Sequence, residues 1–147
     1  MTVRYIGREY IDMAVAKLDV LSKITDSGLV AIVRSDNSSD AARIVDACAE
    51  GGARAIEVTF TVPGAVAVIE ELATRSAARQ VAIGAGTVLD PETARIAILA
   101  GAQFVVSPSL NRDTARLCNR YQIPYLPGAG NSKPKREASS TKKSCGS

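Results

Sequence analysis

The chain has 147 residues, 46% hydrophobic and 22% charged, the proportions of one ordinary globular domain or part of one. It contains no His and no Trp, which excludes His-based catalysis and His-ligated metal. The net charge of +3 is local: residues 129–147 hold Lys133, Lys135, Arg136, Lys142 and Lys143 against Glu137 alone, and the rest of the chain is close to neutral.

The first residues, Met1 to Met13, carry Arg4, Arg8, Glu9 and Asp12 without an apolar core, so they do not read as a secretory signal. No apolar run approaches the ~18 residues of a membrane span. Ile11, Ala14, Val15 and Leu18 follow at the spacing of one helix face and predict an amphipathic helix. Five short apolar runs rich in Val and Ile come next: 29–34, 54–60, 80–84, 103–107 and 123–126. Runs of this length and composition predict buried parallel strands.

Helical patterns separate them. Ala41, Ile44, Val45 and Cys48 share one face, as do Ala65, Val68, Ile69 and Leu72, and then Thr114, Leu117, Cys118 and Tyr121. Asp90-Pro91-Glu92 has the chemistry of a helix start, and Gly51-Gly52 and Gly101 that of helix ends. Strand-helix alternation with short connections predicts an α/β protein, and the regular period favours a (β/α)8 barrel over a doubly wound sheet. Five strands fall short of eight, so the barrel is expected to be incomplete, with one helix before it.

After Pro127-Gly128 the composition changes to Gly, Ser, Lys, Pro, Asn and Thr, with no strand or amphipathic pattern. The chain therefore divides into a partial barrel over 1–128 and a basic polar tail over 129–147, expected to be disordered and foreign to the fold. Cys48, Cys118 and Cys145 form no CxxC pair and no metal-ligand spacing, and a reduced, cytoplasmic setting is expected.

In parallel α/β folds the ligand lies at the carboxyl ends of the strands. Those ends carry Arg34, Thr59 and Thr61, a predicted loop Gly84-Ala-Gly-Thr87, Ser107-Pro108 and Pro127-Gly128. Hydroxyls, a guanidinium and glycines there suit an anionic ligand, and they equally suit ordinary turns. Glu57 is the sharper signal. Period-two alternation puts Ala55, Glu57 and Thr59 on the inner face, with Ile56, Val58 and Phe60 toward the helices. A carboxylate there is desolvated and tuned for proton transfer, or it is neutralised in a buried ion pair with Arg34. Gly84-Ala-Gly86-Thr87 fails the dinucleotide fingerprint, which needs glycine where Leu89 stands.

Four segments carry a family resemblance: Ile56-Glu-Val-Thr-Phe-Thr61, Gly84-Ala-Gly-Thr-Val88, Phe104-Val-Val-Ser-Pro108 and Pro124-Tyr-Leu-Pro-Gly128. In this order and spacing they resemble the 2-keto-3-deoxy-6-phosphogluconate (KDPG) and 4-hydroxy-2-oxoglutarate (KHG) aldolase family, over residues 8–128. The resemblance implies a (β/α)8 barrel, usually a homotrimer, that cleaves a 2-keto-4-hydroxy acid to pyruvate and an aldehyde through a lysine Schiff base, in a reaction that needs no metal and no cofactor. It implies Glu57 as general acid/base, and Arg34, Thr61, Thr87 and Pro108 as substrate-binding residues.

One departure is large. The family's Schiff-base lysine lies on a sixth strand, and the six lysines here are Lys17, Lys23, Lys133, Lys135, Lys142 and Lys143, none on a predicted strand. The sequence therefore predicts a member of an aldolase family without aldolase activity on its own, poorly soluble or molten because its sheet edges are open. Two other readings compete. One is a non-catalytic α/β binding fragment with a basic tail, although nucleic acid is not an expected partner. The other is a different phosphate-binding barrel enzyme.

Overall fold

The computed structural model describes residues 7–35, 37–76 and 80–129. The basic tail beyond Ala129, with Cys145 and four of the six lysines, lies outside the described residues.

A helix, α1 (Gly7–Ser27), precedes five strand-helix units: β1 (Ala31–Val33), α2 (Ser38–Glu50), β2 (Ala55–Thr59), α3 (Ala65–Ser76), β3 (Ala82–Gly86), α4 (Pro91–Leu99), β4 (Phe104–Ser107), α5 (Arg112–Arg120) and β5 (Tyr125–Pro127). All strands are parallel and lie in sequence order, β1-β2-β3-β4-β5. A sheet in which every crossover moves one strand further in the same direction is that of a barrel. The doubly wound alternative, whose strand order reverses at a switch point, is not formed.

The helices begin where the sequence supplies caps. Asn37 accepts from the Asp40 N–H at 2.8 Å, Asp90 from the Thr93 N–H at 2.6 Å, and Asn111 from the Asp113 and Thr114 N–H groups at 3.0 Å. Pro91 occupies the first turn of α4, as its fixed φ favours. At the far end of α4, Gly101 turns the chain with φ +103, a conformation that side chains resist.

The sheet separates two cores by strict alternation. Ile56 and Val58 of β2, Ile83 and Ala85 of β3, and Val105 of β4 face the helices, where they pack with Val45, Ile69, Leu72, Ala94, Ala97 and Cys118. Ala55, Ala82 and Phe104 face the other way and form a smaller cluster with Val20 and Ile24 of α1. Thus α1 covers the inner face near the strand starts. Its buried contact is made by Val20 and Ile24, and Leu18, placed on the apolar face by sequence, is exposed. The side chains of Ile11, Ala14 and Val15 lie outside the described residues.

Four further expectations are corrected. The first strand is shorter than its apolar run, with Leu29, Val30 and Arg34 outside it. Ile44 is exposed, while Ala41 and Val45 of the same predicted face are buried. The third strand runs to Gly86, so the predicted glycine loop is the end of β3. Finally, β5 begins at Tyr125 and includes Pro127.

Candidate active site

The carboxyl ends of the strands bring the sequence-predicted residues to one side of the sheet. Arg34 follows β1, Thr61 lies just past β2, Thr87 follows β3 and Pro108 follows β4. Glu57 stands one layer below, in the middle of β2, level with Ile32, Gly84 and, across β3, Phe104. It is 7% exposed and faces inward, as the alternation predicts.

Two glycines make room on this inner face. A Cβ at Gly84 would come within 2.4 Å of the Phe104 ring, its neighbour in the strand register. A Cβ at Gly86 would lie 1.6 Å from the Glu57 Oε1 atom. Gly86 is therefore the space into which the carboxyl group leans. Its glycine reads from sequence as turn chemistry, but what demands it here is a carboxyl group on the adjacent strand.

Glu57 has no hydrogen bond or ion pair among the described residues. Burial pushes its pKa upward, and the positive charge of Arg34 offsets this in part through space. The buried Arg34–Glu57 ion pair considered from sequence is not formed. Arg34 is exposed beyond the end of a three-residue strand, so its long side chain stays in water rather than paying for desolvation.

Above Glu57 lies a chain of three hydroxyls. Thr59 Oγ1 is 2.8 Å from Thr87 Oγ1 and 3.1 Å from Thr61 Oγ1. Thr59 is 1% exposed and is the hub of this group, although it is not among the binding residues that the family resemblance implies. The inner-face alternation that singles out Glu57 points to Thr59 as well. Thr87 adopts φ +59, a left-handed conformation that is costly for a β-branched residue. The bond to Thr59 ties its hydroxyl back to β2.

Ser107, also at a strand end, does not join the group. It alternates with Val106 to the helix side and donates to the Val88 carbonyl, tethering the turn after β3. Pro108 is exposed and packs closely on Gly128, whose N–H donates to the Ser107 carbonyl at 2.7 Å. It contacts neither Glu57 nor the threonines in any hydrogen bond. The lysines of the described residues are both on α1: Lys23 pairs with Asp19, and Lys17 donates to Asn119. No group of three or more metal-ligating side chains occurs among the described residues. No helix among them is long and apolar enough to cross a membrane.

Fold and site together define a parallel β/α-barrel protein with an acid group turned inward beneath a hydroxyl-lined rim. The family described as KDPG and KHG aldolase matches residues 20–138, and the chain belongs to this family. It is 32% identical to the 2-dehydro-3-deoxy-phosphogluconate aldolase of Pseudomonas aeruginosa over 118 residues, 80% of this chain and 52% of that protein. The KHG/KDPG aldolase of Escherichia coli K12 is 31% identical over 112 residues, 76% of this chain and 52% of the relative.

Among solved structures, the 2-keto-3-deoxy-6-phosphogluconate aldolase of Zymomonas mobilis ZM4 with 3-phosphoglycerate superposes with TM-score 0.68 at 29% identity, covering 78% of this chain and 53% of that one. KDPG aldolase from Legionella pneumophila, with pyruvate captured at low pH as a covalent carbinolamine intermediate, gives TM-score 0.62 at 30% identity, covering 67% and 47%. The chain thus spans about half the length of the curated relatives it matches.

Proposed function

We propose that this chain carries the acid/base half of a Schiff-base aldolase site and lacks the amine half. The family reaction is the retro-aldol cleavage of a 2-keto-4-hydroxy acid. KDPG would give pyruvate and glyceraldehyde 3-phosphate, and 4-hydroxy-2-oxoglutarate would give pyruvate and glyoxylate. The observation that carries the reading is Glu57: inward, almost wholly buried, and without a hydrogen bond or ion pair among the described residues. A structural carboxylate in that position would be paired, whereas an unpaired one is available to exchange protons with a bound molecule.

A carbinolamine such as that captured in the Legionella enzyme forms when an amine adds to the keto carbon of pyruvate. Loss of water from it requires a proton delivered to the departing hydroxyl, and C–C cleavage requires a base for the proton on the 4-hydroxyl. Glu57, with its raised pKa, can serve both steps in turn. The hydroxyls of Thr61 and Thr87 would donate to the substrate carboxylate, and the exposed Arg34 would attract the anion. The amine itself has no source at the described strand ends, because Lys17 and Lys23 lie on α1, beside the strand starts.

Binding and chemistry are tested together on the isolated chain. Pyruvate is expected to shift the backbone amide signals of Thr59, Thr61 and Thr87 in NMR spectra, and neither aldol substrate is expected to release pyruvate. Borohydride with pyruvate should leave the chain unmodified. Shifts confined to other regions, or a stable pyruvate adduct, would overturn the assignment.

A further inference from the structure

We propose that Thr59 is a positioning residue that gives the rim one outward hydrogen-bond donor and one outward acceptor. A rim of that polarity takes a hydroxy-substituted keto acid in preference to the same acid without its hydroxyl. The inference rests on the reading of Thr61 and Thr87 as ligand contacts, and refines what each of them does. A threonine hydroxyl carries one proton and two lone pairs. Thr59 is 1% exposed, and its Oγ1 atom meets Thr87 Oγ1 at 2.8 Å, Thr61 Oγ1 at 3.1 Å and the Thr61 N–H at 3.5 Å. Among the described residues this hydroxyl has no further hydrogen-bond partner.

A buried hydroxyl proton without an acceptor is costly, so the proton of Thr59 goes to one of the two neighbouring oxygens. The neighbour that receives it keeps its own proton, which has no inward partner and turns toward the ligand. The other neighbour fills the second contact by donating to Thr59, and shows the ligand only lone pairs. The chain can run from Thr61 to Thr87 or the reverse, and either direction leaves one outward donor. Both ends are within reach of a ligand, because Thr61 is exposed and Thr87 half-buried. The Thr87 end is held in place by its backbone: the Val88 N–H donates to the Val106 carbonyl at 3.1 Å, and the Ser107 hydroxyl donates to the Val88 carbonyl.

A carboxylate only accepts, whereas a hydroxyl also donates. In a 2-keto-4-hydroxy acid the carboxylate therefore suits one rim hydroxyl and the 4-hydroxyl suits the other. Because both rim hydroxyls bond the same Thr59 oxygen, they lie within the span of one small acid. An acid with acceptors alone can take a proton from both only if one internal bond opens, and the longer Thr59–Thr61 contact is the weaker. Without the Thr59 hydroxyl that constraint disappears, and both rim hydroxyls are free to donate.

The test compares 2-oxoglutarate with 4-hydroxy-2-oxoglutarate, which differ by one hydroxyl, in NMR titrations of the Thr59, Thr61 and Thr87 amides of the full chain. The hydroxy acid is expected to bind about threefold to tenfold tighter, the worth of one neutral hydrogen bond. Thr59→Val is expected to abolish the preference while binding 2-oxoglutarate at least as tightly as the parent chain, and Thr59→Ser to retain it. A merely structural role would weaken both acids alike and leave their ratio unchanged. Equal affinities in the parent chain, or a preference that survives Thr59→Val, would overturn the inference and leave the rim as the binding site. The parent comparison needs no variant, so it decides even where the valine chain does not fold. Absence of shifts at all three threonines with either acid would overturn the rim as a site, and this inference with it.

Discussion

The carboxyl group of Glu57 occupies the space that a side chain at position 86 would need, so these two residues act as one unit. Gly86→Ala must displace the carboxyl group or the strand. Overpacking of this kind costs about 1–3 kcal/mol, to be read as a lower urea midpoint, and the displaced carboxyl group should titrate closer to an ordinary glutamate.

The charge on Glu57 has its own signature. Its folded pKa is raised, mainly by burial, so the folded state holds this proton more tightly than the unfolded chain. Stability is unaffected below the unfolded pKa and falls as pH rises from there through the folded pKa. Glu57→Gln removes the ionisation and should match the parent protein in acid while melting higher at neutral pH. Equal pH dependence of the two would show that the carboxyl group is solvated.

At the scale of elements, the strand-helix alternation and the helix faces were legible because they depend on repeated apolar spacing. Ala65, Val68, Ile69 and Leu72 of α3 are all buried, as their spacing requires. Boundaries were less legible where tertiary contacts decide them. Gly84 and Gly86 have turn composition but sit inside β3, because Phe104 and Glu57 on the flanking strands fill the room their missing side chains leave. Glu57 itself was legible from period two. Its lack of a partner was not, because the reach of Arg34 depends on where β1 ends. The Thr59 hub needed the positions of three strand ends at once.

The helix-side core has one weak point. Thr114 Oγ1 of α5 is buried without a hydrogen-bond partner among the described residues. Thr114→Val keeps the shape and removes the desolvated hydroxyl, and should stabilise the chain by about 1 kcal/mol. Chemical denaturation measures it, and a loss of stability would mean that the hydroxyl has a partner in solution.

As a whole, the described residues combine a closed helix-side core with an inner face that is only partly covered. Ala55, Ala82 and Phe104 are buried where α1 covers them, Leu126 of β5 packs against them half-buried, and Ile32 of β1 is exposed. This division explains how a chain spanning about half of its relatives can still hold Glu57, Thr59 and Thr87 in fixed relation, through β2 and β3, the two strands at which the register is longest. It also locates the expected tendency to associate in the sheet edges rather than in the helix layer.

Among the described residues the carboxyl group of Glu57 faces the inside of the sheet, poorly solvated and without a hydrogen bond or ion pair. Carbon-13 NMR titration of the Glu57 carboxyl group tests it most directly. A midpoint clearly above the ordinary glutamate value of 4.5 is expected, falling toward it in Gly86→Ala. A midpoint at or below 4.5 in the unaltered chain would place the group in water or in an ion pair, against the buried and unpaired position described above.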